Sequence, residues 1–319
     1  MKSLLLQKYS KVPFFLLVPG LCAIEAMSQI LPAPYQKLPE THNFIRTYTV
    51  TKPGMLPAEI IDSNRSPLEV QLSSSYFDGL GNLLQTVIRK GSLNTAAGKN
   101  LSGDAQDMVN LKVYDEFGRE LLGFLPYVPN KLADGNFIGP NPFGLQNQFY
   151  SNISKDLNPI AEQGETHFYS QAVLEPVPSS RVIGQYAPGS NWVGGKSGNT
   201  RGVISQYQFN KTADSVRVWE IMGNSTNGVL GTYVSTKKYN PGQLFKTIIT
   251  DENGKQVIEF KDKMGQLILK KVQIGDVQDL GNGMDHIGFI CTYYIYDDIG
   301  NLRCVIQPEG VQWLLANKW

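Results

Sequence analysis

The chain is short of cysteine, histidine and charge, and each scarcity closes off a class of function. Three cysteines in 319 residues cannot make a disulfide framework. The three histidines, His42, His167 and His286, come without a Gly-x-Ser-x-Gly elbow or a His-Glu-x-x-His helix. Glu165 lies near His167, and Asp285 adjoins His286. Neighbours along a strand point to opposite faces, so Asp285 and His286 need not meet. Charged residues make up 18% of the chain and the net charge is +1, which argues against nucleic acid or an anionic membrane as bulk partner. Long apolar runs are missing too. The longest, Val12 to Ile24, is broken by Pro13 and Pro19 and falls short of the roughly 20 residues a spanning helix needs.

That run reads instead as a targeting segment. Lys2, Lys8 and Lys11 precede or open it, and Ala26-Met27-Ser28 follows with small residues at the two positions a signal peptidase reads. We expect a secretory signal peptide over residues 1–28, cut near Ser28/Gln29, and an exported product in the periplasm, at the outer surface or outside the cell. Leu21 before Cys22 argues against a lipoprotein anchor. Cleavage takes three lysines and Glu25 from the chain and leaves a net charge of −1. Cys291 and Cys304 remain. A turn over Asp297–Gly300 pairs Tyr296 with Asn301 and Cys291 with Ile306, leaving Cys304 two residues off register. Diagonal neighbours sit about 7–8 Å apart and a disulfide wants about 4.4–6.8 Å, so two buried free thiols are expected.

What the chain has in quantity is glycine (31), proline (18), tyrosine (15) and phenylalanine (14), a composition for short strands and frequent turns. One motif recurs five times: Asp78-Gly-Leu-Gly81, Asp115-Glu-Phe-Gly118, Asp251-Glu-Asn-Gly254, Asp262-Lys-Met-Gly265 and Asp297-Asp-Ile-Gly300. Physically it is a type I turn closed by a left-handed residue. Asp caps the turn amides and Gly takes the positive φ. The flanks alternate as strands, notably 245–250, 255–261 and 266–272, a β-meander. Ile290, Thr292, Tyr294 and Tyr296 share one face before the last turn, with Leu302, Cys304 and Ile306 after it. Spacings of 35 to 37 residues between other copies suggest about three such units, with looser turns near Gly91–Gly103 and Gly275–Gly283.

The expected fold is mainly β: stacked antiparallel hairpins in an extended sheet, with a loop-rich insertion and little helix. An N-terminal β region, 29–130, carries two of the turns, with a strand over 44–51. The repeat stops between Pro126 and Gly242, and 131–241 reads as a Pro/Gly-rich insertion packed on the sheet. It offers a short helix near 145–150 and strands near 201–210 and 215–221. Residues 242–319 form a repeat meander ending in a helix that begins at Pro308.

The stretches "YFDGLGNLLQTV" (76–87), "VYDEFGRELLGFLPY" (113–127), "TDENGKQVIEFKDKMGQLILKK" (250–271) and "YIYDDIGNLRCVIQPEGV" (294–311) resemble Rhs/YD-repeat proteins. With "APGSNW" (187–192) and "GNTRGVISQYQFN" (198–210), they are similar to the uncharacterised domain that precedes the repeats in large secreted proteins of Bacteroidetes-type bacteria. The resemblance covers roughly residues 43–311. It implies a β-sheet that spirals into a hollow shell around a C-terminal toxin or effector, and a chain that starts or plugs that shell. Ending at Trp319, this sequence looks like the entry segment of a longer protein or a truncated relative of a polymorphic toxin.

The expected function is therefore structural and non-enzymatic, with no cofactor and no metal site. Its partners would be further repeats, or a protein meeting the exposed sheet edge. The turns have too few oxygen ligands before the glycine for a calcium loop. Gly194-Gly195-Lys196-Ser197 fails as a phosphate loop because Ser190 stands where the first glycine belongs. The alternative is a cell-surface module that binds a glycan or a protein partner through the insertion, with Tyr186, Trp192, Tyr293, Tyr294 and Tyr296 as candidate aromatic platforms.

Overall fold

Alternating side chains and closely spaced turn signals build strand after strand. In a computed structural model, residues 42–92, 104–129, 133–151, 167–193, 201–223 and 231–319 are described. The expected signal peptide, Glu165 and Gly194–Ser197 lie outside them. The fold is mainly β, with strand at 43% against helix at 11%. Strands β1 (Asn43–Val50), β2 (Val70–Phe77), β3 (Leu83–Ser92) and β4 (Gln106–Leu111) form a four-stranded sheet in that order. A nine-stranded sheet follows. It contains β5 (Leu122–Phe124), β6 (Tyr169–Leu174), β7 (Val182–Tyr186), β8 (Val203–Phe209), β11 (Phe245–Thr250), β12 (Gln256–Lys261), β13 (Leu267–Gln273), β14 (Phe289–Tyr296) and β15 (Leu302–Ile306), again in chain order. Bridges Val109↔Tyr127 and Lys112↔Gly123 stitch β4 to β5, so the strands continue from one sheet into the next. The single excursion is the β9 (Arg217–Met222) and β10 (Thr232–Lys238) hairpin between β8 and β11.

All these pairings are antiparallel. Consecutive connections therefore alternate between two rims. One rim carries tight turns at Asp78, Asp115, residues 175–181, Asp262 and Asp297. The opposite rim carries the Asp251 turn and long connections, including 51–69 with helix α1 (Pro57–Ile60), 125–168 with α2 (Pro142–Ser151), and the loop 274–288. This corrects the expected spacing: the 35-residue interval from Asp262 to Asp297 holds two strands and one long loop, not about three units of one strand and one turn. The middle of the chain differs as well. Instead of packing on the sheet, it supplies β6, β7 and β8 to it, because its alternating stretches find ladder partners on both sides.

Each sheet buries one face. Tyr76, Val87, Val109, Leu111, Phe124 and Phe143 anchor the first core, which α2 covers. Leu244, Ile248, Ile258, Phe260, Leu269 and Tyr293 anchor the second, closed by β9 and by α3 (Pro308–Ala316) through Val311 and Leu315. On β14 the buried face is Phe289, Cys291, Tyr293 and Ile295; Tyr294 lies on the other, and half-buried Tyr296 at the strand end packs against the second core. A bulge shifts the register between β14 and β15, so Tyr296 faces Leu302 while Ile295 faces Cys304. The simple turn register expected Tyr296 opposite Asn301; the extra residue at the bulge moves Cys304 further from Cys291. Both thiols are free, and only Cys291 is buried, Cys304 being half-exposed.

Candidate functional site: repeat turns and a buried polar cluster

The five Asp-x-x-Gly turns share one geometry. Each Asp Oδ1 accepts two backbone N–H groups, from the second and fourth residues after it, at 2.8–3.2 Å. Each Gly N–H donates to the Asp carbonyl at 2.9–3.2 Å, and each Asp N–H donates back across the turn at 2.8–3.0 Å. The glycines, from Gly118 at φ +74° to Gly81 and Gly300 at +88°, sit where a β-carbon is strained. The amides of Arg119 and Asn301 in particular hold the Asp115 and Asp297 carboxyls below their ordinary values.

What sequence reasoning missed is the residue before each glycine. Leu80, Phe117, Met264 and Ile299 are 72–89% exposed, and all four tips stand on the same rim. The fifth tip, Asn253, is polar and stands on the opposite one. Neighbouring turns on the apolar rim are tied laterally: Arg119 Nη1 donates to Ser180 Oγ at 2.9 Å, and Gln266 Nε2 to the Gly300 carbonyl at 3.3 Å. The signal was present in the motif, in its alternation of an apolar tip with a turn that has no need of one.

A second constellation lies on the core face of the nine-stranded sheet. Lys246 on β11 and Lys271 on β13 point inward and are fully buried. Lys246 Nζ donates to Asp214 Oδ1 at 2.7 Å and to Asp279 Oδ2 at 2.5 Å, with the Phe260 ring centroid 5.6 Å away. Asp214 comes from the 3-10 turn Thr212–Asp214 before β9, and Asp279 from the loop 274–288. Burial pushes the Asp279 carboxyl up, but the Lys246 contact and the N–H groups of Gly281 and Gly283 outweigh it, and the group is held below its ordinary value. Lys271 Nζ donates to the carbonyls of Met284 (2.6 Å) and Asp214 (3.2 Å), and burial lowers its pKa.

Asp285 and His286 do meet. Residues 274–288 form a loop that turns at Gly281, Gly283 and Gly288, all at positive φ, so the alternation of a strand does not apply. Asp285 Oδ1 lies 2.6 Å from His286 Nδ1, and Tyr293 Oη lies 2.8 Å from His286 Nε2. Tyr293 Oη also accepts the Arg217 N–H at 3.0 Å. One assignment of hydrogens satisfies every atom: a neutral imidazole donates from Nδ1 to Asp285 and accepts the Tyr293 hydroxyl at Nε2. Burial holds His286 below the usual imidazole value, with Asp285 opposing and Lys271 and Arg217 adding to the effect. The Trp319 ring closes over His286 and Tyr293, with centroids 5.3 and 5.8 Å away.

This resembles a relay in composition, yet Tyr293 and His286 are 0 and 1% exposed, and the Tyr293 hydroxyl and both His286 ring nitrogens are already engaged. The proposed aromatic platform is not assembled: Tyr293 is inside, Tyr296 packs against the core at the strand end, and Tyr294 sits on the other face. His167 is buried beside Ser190, with Nδ1 3.4 Å from Oγ. Among the described residues no group of three or more His, Cys, Asp or Glu is placed to hold a metal ion, and no helix is long and apolar enough to cross a membrane.

Comparison with curated proteins gives no match. Among solved structures, the crystal structure of TcdB2-TccC3-TEV is similar at 15% identity and a TM-score of 0.41, over 78% of this chain and 10% of that one. The chain thus spans about a tenth of the length of the structure it matches. Residues 48–206, from β1 into β8, match the family model of DUF6443, a domain of unknown function.

Proposed function

We propose that this chain is a non-enzymatic structural segment of an exported β-repeat assembly of the Rhs type, acting to start or plug the sheet. One observation carries the reading: among the described residues, thirteen strands follow one another in chain order, broken only by the β9–β10 hairpin, and five turns of one geometry join neighbours among them. Such a sheet extends by adding hairpins at an edge. Among the described residues its outer strands, β1 and β15, pair on one side only. The polar cluster supports a structural role, since its groups hold loop 274–288 and the root of β9 against the sheet.

The test is a hydrolase screen of the purified full chain against ester, phosphoester, glycoside and peptide substrates. No turnover is expected. Turnover abolished by His286→Gln in a chain that still melts cooperatively would refute the structural reading.

A second reading, a module that binds a partner, is favoured by the exposed apolar tips Leu80, Phe117, Met264 and Ile299 on one rim, which suit a protein better than a glycan. Replacing all four with serine would abolish capture of such a partner and leave the melting temperature unchanged.

A further inference from the structure

The buried Lys246–Asp214–Asp279 cluster is more than the scaffold requires. A lysine with two carboxylates, all at 0–1% side-chain exposure, with the buried Lys271 beside Asp214, gathers four ionisable groups in the core, an expensive arrangement for ion pairing alone. The same arrangement is well suited to condensation. We propose that Lys246 and Asp214 form an intramolecular amide cross-link, with Asp279 carrying the protons.

The three groups have separate tasks. Lys246 Nζ is the nucleophile, placed within 2.7 Å of both acids. Asp214 is the electrophile. Its Oδ2 accepts the Lys211 N–H at 2.7 Å, a donor placed to stabilise charge on that oxygen as the carbon becomes tetrahedral. Its Oδ1, the oxygen touching Lys246, is the one that leaves. Asp279 is fixed as a carboxylate by the N–H groups of Gly281 at 2.8 Å and Gly283 at 3.2 Å, so it takes a proton from the ammonium without swinging away.

The step balances. One proton passes from Lys246 to Asp279, and the freed lone pair forms the N–C bond to Asp214 Cγ. A second proton from the nitrogen and the one held by Asp279 then go to Oδ1. The C–O bond breaks, one water leaves, and Asp279 is again a carboxylate. Two buried charges are replaced by a neutral amide, and exclusion of water from the site works against hydrolysis. The bond ties the root of the β9–β10 excursion to β11, two points 32 residues apart, between residues 214 and 246.

The test is the intact mass of the purified full chain, followed by proteolytic mapping. The expected result is a mass one water below that of the same processed sequence, and a branched peptide joining the segments that contain Asp214 and Lys246. Lys246→Arg, Asp214→Ala and Asp279→Ala should each restore the full mass. The full mass in wild-type chain that melts cooperatively would overturn the proposal, and needs no variant to fold. A branch at Asp279 instead of Asp214, or an undiminished bond in Asp279→Ala, would overturn the assignment of roles.

Discussion

Tyr293→Phe removes one oxygen from the centre of the second core and tests whether the His286 network is structural. The phenol is fully buried and makes two contacts, accepting the Arg217 N–H at 3.0 Å and meeting His286 Nε2 at 2.8 Å. The ring's packing against Trp219 and Trp319 is retained, so little cavity is opened. What is lost is the satisfaction of two buried polar groups, each of which costs about 1–3 kcal/mol when orphaned. Removing the hydroxyl's own desolvation cost offsets part of this, and a net loss of about 2–3 kcal/mol is expected. For a chain of this size that lowers the melting temperature by about 5 °C. Urea and thermal unfolding followed by circular dichroism would measure it, with Tyr294→Phe on the opposite face as control, expected within about 0.5 kcal/mol of the parent. If the two variants unfold together, the network does not hold the fold and the structural account of it fails.

The turns give a matched comparison within four residues. Gly81, at φ +88°, and Gly79, at ordinary φ, both have open space around a new β-carbon, so Gly81→Ala should destabilise by about 1 kcal/mol while Gly79→Ala is neutral or slightly stabilising; equal effects would contradict the turn geometry. His286 yields a pH dependence. The unfolded imidazole takes its proton near about pH 6.5 and the folded one only below that, so the contribution is complete above that pH and is lost as pH falls toward the folded value. Stability measured between about pH 5 and 7 should fall on acidification, and His286→Gln should flatten that slope; an unchanged slope would assign it to other groups. Burial pushes the Cys291 thiol up to about 11 and the side chain is 1% exposed. Alkylation at mild alkaline pH should therefore mark Cys304 at once and Cys291 only on unfolding, a difference that peptide mass mapping reads.

Periodic parts of the molecule were legible and long-range closures were not. The alternation at 245–250, 256–261 and 267–273, with one repeated turn between strands, leaves little choice but a meander, and Pro308 with Glu309 marks the start of α3. The bulge between β14 and β15 was hidden because a bulge inserts one residue without changing composition. Strands β6 and β7 were hidden because the prolines around them, Pro176, Pro178 and Pro188, advertise loops, although the stretches between are long enough to pair. Of the polar cluster, half was within reach. Lys246 shares strand parity with Ile248, and Lys271 with Leu269, so a lysine on each core face could be read from the pattern. Asp214, Asp279 and His286 could not, since they enter from connections whose path depends on residues at positive φ, Ser215 in the first and glycines in the second, and on the sheet they cross.

The placement of that cluster has a physical logic tied to the two kinds of connection, tight and long. Where a tight turn joins two strands, the turn sets their register. Where a long connection joins them, apolar alternation alone tolerates a slip of two residues, which keeps every side chain on its face and moves it by about 7 Å. Around the second core, the connections between β8 and β11 and between β13 and β14 are long, and these supply the cluster's partners. Asp214 comes from the first; Asp279, Met284 and His286 come from the second. Contacts of 2.5–2.8 Å at Lys246, Lys271 and Tyr293 do not survive a displacement of that size. The first sheet repeats the device. Buried Asp107 on β4 accepts the Lys90 N–H of β3 at 2.8 Å and the Gly135 N–H at 2.7 Å, across another pair whose strands are 13 residues apart in the chain, 93–105. The repeat turn therefore joins five of the twelve consecutive pairings, and single, non-repeated polar contacts add register at three more, β3–β4, β8–β11 and β13–β14. That division explains how a chain of near-identical hairpin signals reaches one strand order.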